Sequence, residues 1–339
     1  MSVAAQDFPA LLDLLDSVFC GSRTGESERK FPHILKRENL QNLCIIKEKG
    51  EVVSHIGLLY RRMRLGPEEI PLAIISLMAT RPDFRRQGYA TSLLKFAIEK
   101  MKQDGIVLAV LWAGIPDFYR RSGWESAGII SRVSLYDSRG LECNAAITPY
   151  EGDVKEIMAL KPPEVNDIIR DDKETAELLE MNEGRVLLAR EKQKAIAYFV
   201  YDIFRSEDGL VIEVKESDGY LRGVESLVRH VFWEHSPERM DFFLPQRQVL
   251  SRYFLQKGVQ LERMSADLGL WRFINKASFL SKVKEARGVS ELDVDLESLH
   301  LEENDFTKYV LGSKVPLSRP APQSEIFPIP LYISRLDHA

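Results

Sequence analysis

A chain of 339 residues, 45% hydrophobic and 29% charged, has the make-up of a globular protein with apolar material for two cores. Its net charge of −5 argues against a general nucleic-acid binder, which needs basic surface to displace counterions. The longest apolar run, near Ile106 to Ile115, is too short to span a bilayer; Met1 to Asp16 shows no basic signal region; and Cys20, Cys44 and Cys143 fit reduced thiols better than a disulfide frame or zinc site. A cytoplasmic protein with no metal and no membrane partner is therefore expected.

Leucines at helical spacing predict a helix over Phe8 to Phe19. Gly21 to Lys30 reads as a polar loop, and Phe31 to Leu40 as a second short helix. Leu43 to Lys47, Val52 to Arg64 and Ile70 to Ala79 read as strands, joined by turns at Lys49-Gly50 and Gly66-Pro67. An amphipathic helix follows from Gly88 to Gln103, with Leu93, Leu94, Ala97, Ile98 and Met101 on one face. Then come an apolar strand from Ile106 to Trp112, a short helix from Pro116 to Arg121, and a strand reaching Tyr136. The strands from Ile70 and Ile106, joined by one helix, should be parallel neighbours with a right-handed crossover. Ligands of such sheets sit at the carboxyl ends of the strands, which here face the loop Arg81 to Gln87.

That loop runs Arg81-Pro82-Asp83-Phe84-Arg85-Arg86-Gln87-Gly88-Tyr89-Ala90-Thr91. Gly88 permits a sharp turn, and the peptide N–H groups from Arg86 to Thr91 would point outward at a helix N-terminus. Small Ala90 leaves room beside the backbone, and Arg81, Arg85 and Arg86 add positive charge. Taken alone, the loop is as well read as a basic turn entering a surface helix. Further on, Asp117-Phe118-Tyr119-Arg120-Arg121-Ser122-Gly123-Trp124 places an aromatic pair before a glycine.

In order and distance, these two segments resemble the signatures of the GNAT superfamily of acyl-coenzyme A N-acyltransferases. Arg85, Gly88 and Ala90 match its pattern of Gln or Arg, two residues, Gly, one residue, Gly or Ala. The resemblance implies a mixed α/β sheet whose Ile70 and Ile106 strands splay apart, with the pantetheine arm in the gap. Acetyl-CoA as co-substrate would then be held by Leu77, Met78, Ala79, Thr80, Arg85, Arg86, Gln87, Gly88, Tyr89, Ala90, Thr91 and Gly114. The N–H near Met78 or Ala79 would polarise the thioester carbonyl, and Tyr119 would be the general acid that protonates the leaving thiolate. Phe118 and Trp124 read as packing residues. For the base, Glu26, Glu28, Glu38 and His33 lie where GNAT enzymes build the acceptor pocket, although each reads first as a surface charge; His55 reads as a packed or hydrogen-bonded histidine.

The second half repeats the order of the first. Helical segments at Asp153 to Leu160 and Lys173 to Glu180 precede strands at Arg185 to Ala189, Ala195 to Phe204 and Val211 to Lys215, a helix at Tyr220 to Trp233, a strand at Met240 to Leu244, a helix at Gln248 to Gln256, and strands again from Leu261. Gly223 and Gly258 stand as far apart as Gly88 and Gly123, which marks a duplicated fold. The copy reads Tyr220-Leu221-Arg222-Gly223-Val224-Glu225, with Glu225 at the small position, so its loop should refuse a diphosphate. The expected division is a catalytic unit over 1–143, a degenerate unit over 144–274 and a tail over 275–339, with a helix at Lys276 to Ala286 and an extended strip at Phe327 to Tyr332 docked on the body.

As a whole the chain looks like the tandem-GNAT family that includes the enhanced-intracellular-survival acetyltransferases of mycobacteria. There the C-terminal carboxylate serves as base, which would nominate Ala339 here. The resemblance implies an acetyltransferase whose partners are acetyl-CoA and a primary amine, with no nucleic acid and with a homo-oligomer open. Two other classes remain: a tRNA-dependent aminoacyltransferase of tandem fold, disfavoured by the intact loop and the acidic chain, and a non-catalytic acyl-CoA-binding regulator.

Overall fold

In the computed structural model, residues 2–21, 24–161, 166–182, 185–207, 209–245, 249–296, 299–313, 317, 322–331 and 337 are described. The first half runs α1 (Phe8–Phe19), α2 (Glu26–Lys30), β1 (Leu43–Glu48), β2 (Glu51–Leu65), β3 (Glu68–Thr80), α3 (Tyr89–Gln103), β4 (Leu108–Leu111), α4 (Pro116–Arg120) and β5 (Glu125–Leu135). A connector supplies β6 (Ala146–Pro149), α5 (Val154–Met158), β7 (Ile168–Ile169) and α6 (Asp172–Glu180). The second half repeats the pattern as β8 (Val186–Glu191), β9 (Lys194–Ser206), β10 (Gly209–Gly219), α7 (Leu221–His235), β11 (Arg239–Pro245), α8 (Leu250–Gln256) and β12 (Leu261–Phe273). The tail adds α9 (Lys276–Arg287) and α10 (Glu303–Leu311).

The strands join in one mixed sheet of order β1-β2-β3-β4-β12-β5-β11-β10-β9-β8-β6, with β7 pairing on β2. β3 and β4 are parallel, as are β10 and β11, each pair bridged by a helix as the crossover rule requires. The duplication is thus built into a single sheet, and the last strand of each half leaves its own unit. β12 lies antiparallel to β4, β5 lies antiparallel to β11, and the two crossing strands pair from Leu261↔Leu135 to Trp271↔Glu125.

Strand alternation divides the apolar residues between the two faces. On one face of the first half, α3 lays Leu93, Leu94, Ala97, Ile98 and Met101 over Ile56, Leu58, Ala73, Ile75 and Ala109. On the other, α1, α9 and α10 cover Leu59, Met63, Leu72, Ile74 and Leu108. Each such leucine or isoleucine contributes roughly 2 kcal/mol over its exposed state. The extended strip docks here too: Phe327, Ile329 and Leu331 are buried and the Ile329 N–H bonds Val310 O (2.8 Å).

Several elements differ from expectation, among them the short strands β6 and β7 of the connector. The second short helix is not at Phe31 to Leu40 but earlier, at α2, followed by a turn and a 3₁₀ turn over Arg37–Asn42. The buried Asp16 carboxylate accepts the N–H groups of Gly25 (2.6 Å) and Ser27 (2.7 Å), which fixes the start of α2. Pro32 disfavours a helical Phe31, so the chain cannot continue as helix. In the tail, α10 was not foreseen.

Candidate functional site

Pairing of β3 with β4 stops at Ile75↔Leu111, although β3 continues to Thr80. Beyond that point the two strands part. Trp112 turns toward the crossing strand, its Nε1–H bonding Leu268 O (2.6 Å). On the opposite side β3 stays paired with β2, but with a slip: His55 faces Ala79 and Gly57 faces Ser76, so Leu77 and Met78 oppose Ile56 alone. This is a β-bulge, and Leu77 sits in it with φ +52°. Opposite stands Gly57, where a Cβ would come within 2.9 Å of Ile34 Cδ1 and 3.2 Å of Ser76 O.

Side chains on β2 and the loop hold the end of β3. His55 Nδ1 lies 2.7 Å from Leu77 O and must carry the proton, because a carbonyl only accepts. Ser54 Oγ donates to Ala79 O (3.0 Å) and lies 2.8 Å from Thr80 Oγ1. Arg85 Nε–H donates to Thr80 O (3.2 Å).

A cavity of about 490 Å³ opens where the strands part, lined by Met78, Ala79 and Thr80 of β3, by the loop and first turn of α3, and by Ile115, Phe118 and Tyr119 around α4. Val18 of α1 and Phe84 complete its wall. Gly88 has φ +88° and stands before the first residue of α3. The peptide N–H groups from Arg86 to Thr91 make no hydrogen bond among the described residues, so donors and helix dipole are left for an anion. Arg81 is bound to Glu51 (2.6 Å), whereas neither Arg85 nor Arg86 has an ion-pair partner among the described residues.

Tyr119 is buried, and its hydroxyl donates to Met78 Sδ (3.3 Å) across the cavity. Burial pushes its phenol above the ordinary value, so the hydroxyl keeps its proton near neutrality. Phe118 packs edge-on against it at 4.9 Å and also faces the cavity; Trp124 is fully buried.

Of the sequence-derived candidates, Met78, Ala79, Thr80, Arg85, Arg86, Gly88, Tyr89, Ala90, Thr91 and Tyr119 meet on this wall. Leu77 turns its side chain into the core, Gln87 bonds Asp83 O (3.1 Å), and Gly114 lies just off the wall in open space. Val18, Phe84 and Ile115 went unnamed, because apolar side chains in a loop or helix carry no motif.

Glu26 is paired with Arg29 (2.7 Å), and Glu28 and Glu38 are exposed. His33 is instead buried, with Nδ1 unpartnered; burial first, then the Arg61 guanidinium, push it down to about 4, so it is neutral. Ala339 lies outside the described residues. Asp337, two positions before it, is buried and paired with Arg170 (2.8 Å), which also binds Glu216 (2.6 Å) on β10.

In the second half the corresponding helix start is differently built. α7 starts two residues before Gly223, and the N–H groups of Gly223 and Val224 already bond Tyr220 O (2.8 and 3.1 Å). Glu225 projects no charge outward: it is buried, accepting from the Glu142 N–H (3.0 Å), Lys257 Nζ (3.1 Å) and the Tyr253 hydroxyl. The offset that carries Gly88 to Gly223 carries Tyr119 to Phe254, which has no hydroxyl to donate.

No helix among the described residues is long and apolar enough to cross a membrane, and no group of three metal-ligating side chains is present among them. Residues 2–127 match the model of an acetyltransferase (GNAT) domain. Comparison with curated protein sequences gives no match. Among solved structures, a GCN5-related N-acetyltransferase from Anabaena variabilis is similar at TM-score 0.64 and 17% identity, over 84% of this chain and 74% of that one. A conserved protein of unknown function from Enterococcus faecalis, described as a probable N-acyltransferase, is similar at TM-score 0.65 and 14% identity, over 83% and 74%. Eis1 from Mycobacterium abscessus is similar at TM-score 0.59 and 14% identity, over 83% and 74%.

Proposed function

We propose, from the premise that this chain is an acyltransferase with a GNAT domain over residues 2–127, that it moves an acetyl group from acetyl-CoA to a primary amine by direct attack in a ternary complex. The observation that carries this reading is the row of unused N–H groups from Arg86 to Thr91, opening on a cavity between parted strands. A diphosphate satisfies those donors, with Arg85 and Arg86 adding charge and Ala90 keeping the approach clear. The pantetheine arm lies along β3 at Leu77 to Thr80 and leaves past Gly114, with Gln87, Gly88, Tyr89 and Thr91 shaping the phosphate end.

The chemistry follows from that pose. The bulge turns a peptide N–H of Met78 or Ala79 toward the thioester oxygen, where negative charge develops. The amine nitrogen bonds the carbonyl carbon, the carbon–sulfur bond breaks, the thiolate takes the Tyr119 proton, and the nitrogen's surplus proton leaves to solvent, from which Tyr119 is protonated again. The attacking nitrogen must first shed its extra proton. Ala339 is the reading for that base, supported by Asp337, which is held inside the molecule and acts electrostatically on His33. An unmodified amine of pKa near 10 is only about a thousandth neutral at pH 7, so loss of this group should lower kcat at neutral pH more than at pH 9.

The test is calorimetry with acetyl-CoA together with a thiol-release assay across aminoglycosides, polyamines, peptide N-termini and small amines. One acetyl-CoA per chain and turnover with at least one amine class are expected. Absence of coenzyme binding would sink the reading; binding without turnover on any amine would leave a regulator.

A further inference from the structure

We infer that His55 is a positioning residue for acyl transfer: by holding the Leu77 carbonyl it fixes the β3 bulge that aims the oxyanion-binding N–H, an inference that rests on the acyl-CoA reading above. Leu77 occupies the left-handed region at φ +52°, which a branched-chain residue enters only at a cost of order 1 kcal/mol. Such a conformation persists when its surroundings over-determine it. Here the fastening is one hydrogen bond, His55 Nδ1–H to Leu77 O at 2.7 Å.

The rest of the His55 ring argues that this bond is why a histidine stands there. The side chain is fully buried in the sheet, and its Nε2 has no partner. An unsatisfied polar atom in such a place costs free energy that an apolar residue would avoid. Burial pushes the imidazole down to about 4, so near neutrality it is an uncharged single donor and cannot act as a proton acceptor from substrate across the sheet. A Cβ built on Gly57 would meet both Ile34 Cδ1 (2.9 Å) and His55 Cε1 (3.3 Å), so the ring lies close beside the Gly57 backbone. The ring is thus close-packed beside Gly57 on one side and bonded to the bulge on the other. Displacing the Leu77 carbonyl rotates the following peptide plane, and a shift of about 1 Å at a reacting centre costs about a hundredfold in rate.

Two substitutions separate positioning from bulk. In His55→Asn the side-chain amide N–H₂ occupies the place of Nδ1; in His55→Gln it reaches the place of Nε2 and leaves Leu77 O unheld. His55→Gln should lose about tenfold to a hundredfold in kcat, with the KM for acetyl-CoA and its calorimetric Kd within about threefold of wild type. His55→Asn should restore most of kcat. Equal kcat in the two variants, or a parallel loss of kcat and coenzyme affinity, overturns the proposal. Should both variants fail to fold, long-range ¹⁵N–¹H spectra of the wild-type protein still decide: the ring proton must sit on Nδ1, and a proton on Nε2 overturns it. A wild-type protein that binds no acetyl-CoA strikes the acyl-CoA reading instead, whatever the His55 tautomer.

Discussion

Tyr119 and His55 are both polar side chains inside the first half; the sequence assigns Tyr119 a role in the chemistry and reads His55 only as packed or hydrogen-bonded, which it is. Tyr119 stands before Arg120-Arg121-Ser122-Gly123, a pattern that marks its place even though the burial and the Met78 contact are invisible in one dimension. Tyr119→Phe should lower kcat by about a hundredfold or more while the calorimetric Kd for acetyl-CoA stays put, because the ring still packs on Phe118 and only the proton is gone. A variant of unchanged kcat would remove Tyr119 from the chemistry. His55 gave only the bland signal of a histidine in a strand, since its meaning depends on a two-against-one register that no periodicity encodes. Acid stability reports on it separately. Its pKa falls from 6.5 unfolded to about 4 folded, so its contribution is fully present above pH 6.5 and is lost as pH falls through 4. The melting-temperature gap between wild type and His55→Asn should therefore narrow steadily as pH drops from 6.5 to 4.

Elements were the most legible scale, and loops between them the least. Alternation and helical spacing place the seven core elements of each half in order, because each buries one face and the sequence must follow that geometry. Ends drift where a side chain intervenes, as with Asp16 starting α2 or Pro32 ending it. The contrast between α3 and α7 shows how little separates a ligand-ready helix start from an inert one. Before α3 the chain turns through Gly88 and leaves six donors free from Arg86 to Thr91; before α7 the helix begins early and Tyr220 O takes the N–H groups of Gly223 and Val224. Glu225 at the position of Ala90 implies repulsion of an anion, yet the carboxylate is folded inward on Lys257 and Tyr253. Ala90→Glu should weaken acetyl-CoA binding at least about tenfold by calorimetry, one like charge at the diphosphate being enough at such range. Glu225→Ala should leave that binding unchanged and lower the melting temperature.

At the scale of the whole molecule, repeats were readable as repeats, but the route of β5 and β12 was not. Pairing partners depend on which edge each strand reaches, and both edges offer the same backbone groups. Because β5 pairs only with β12 and β11, a fragment of residues 1–143 would leave it without a partner. Expressed alone, 1–143 and 144–339 should be insoluble; expressed together they should co-purify as one folded particle by size-exclusion chromatography, and a soluble, folded 1–143 would contradict the exchange. The tail adds a charge cluster between the halves. Asp167 is pushed up to about 7, by burial and then by the Asp337 carboxylate, and Asp218 to about 7, by burial and then by Glu216. A raised carboxylate stabilises below its unfolded value and loses that contribution as pH climbs through 7, so Asp167→Asn should melt higher than wild type at pH 8 and equally at pH 4. Equal melting at both would show the charge to be fully compensated by Arg170.

The exchanged strands also bear on why the second half would keep its shape if, as proposed, only the first half holds the coenzyme. A gene duplication that left two free-standing units would let the idle one decay to loss. Here the second half donates β12 to the seam beside β4, the strand whose parting from β3 opens the cleft. Whatever function the first half has is therefore coupled to the second through that loan of one strand, and residues such as Trp271 and Leu270 should tolerate change no better than those of the cleft itself.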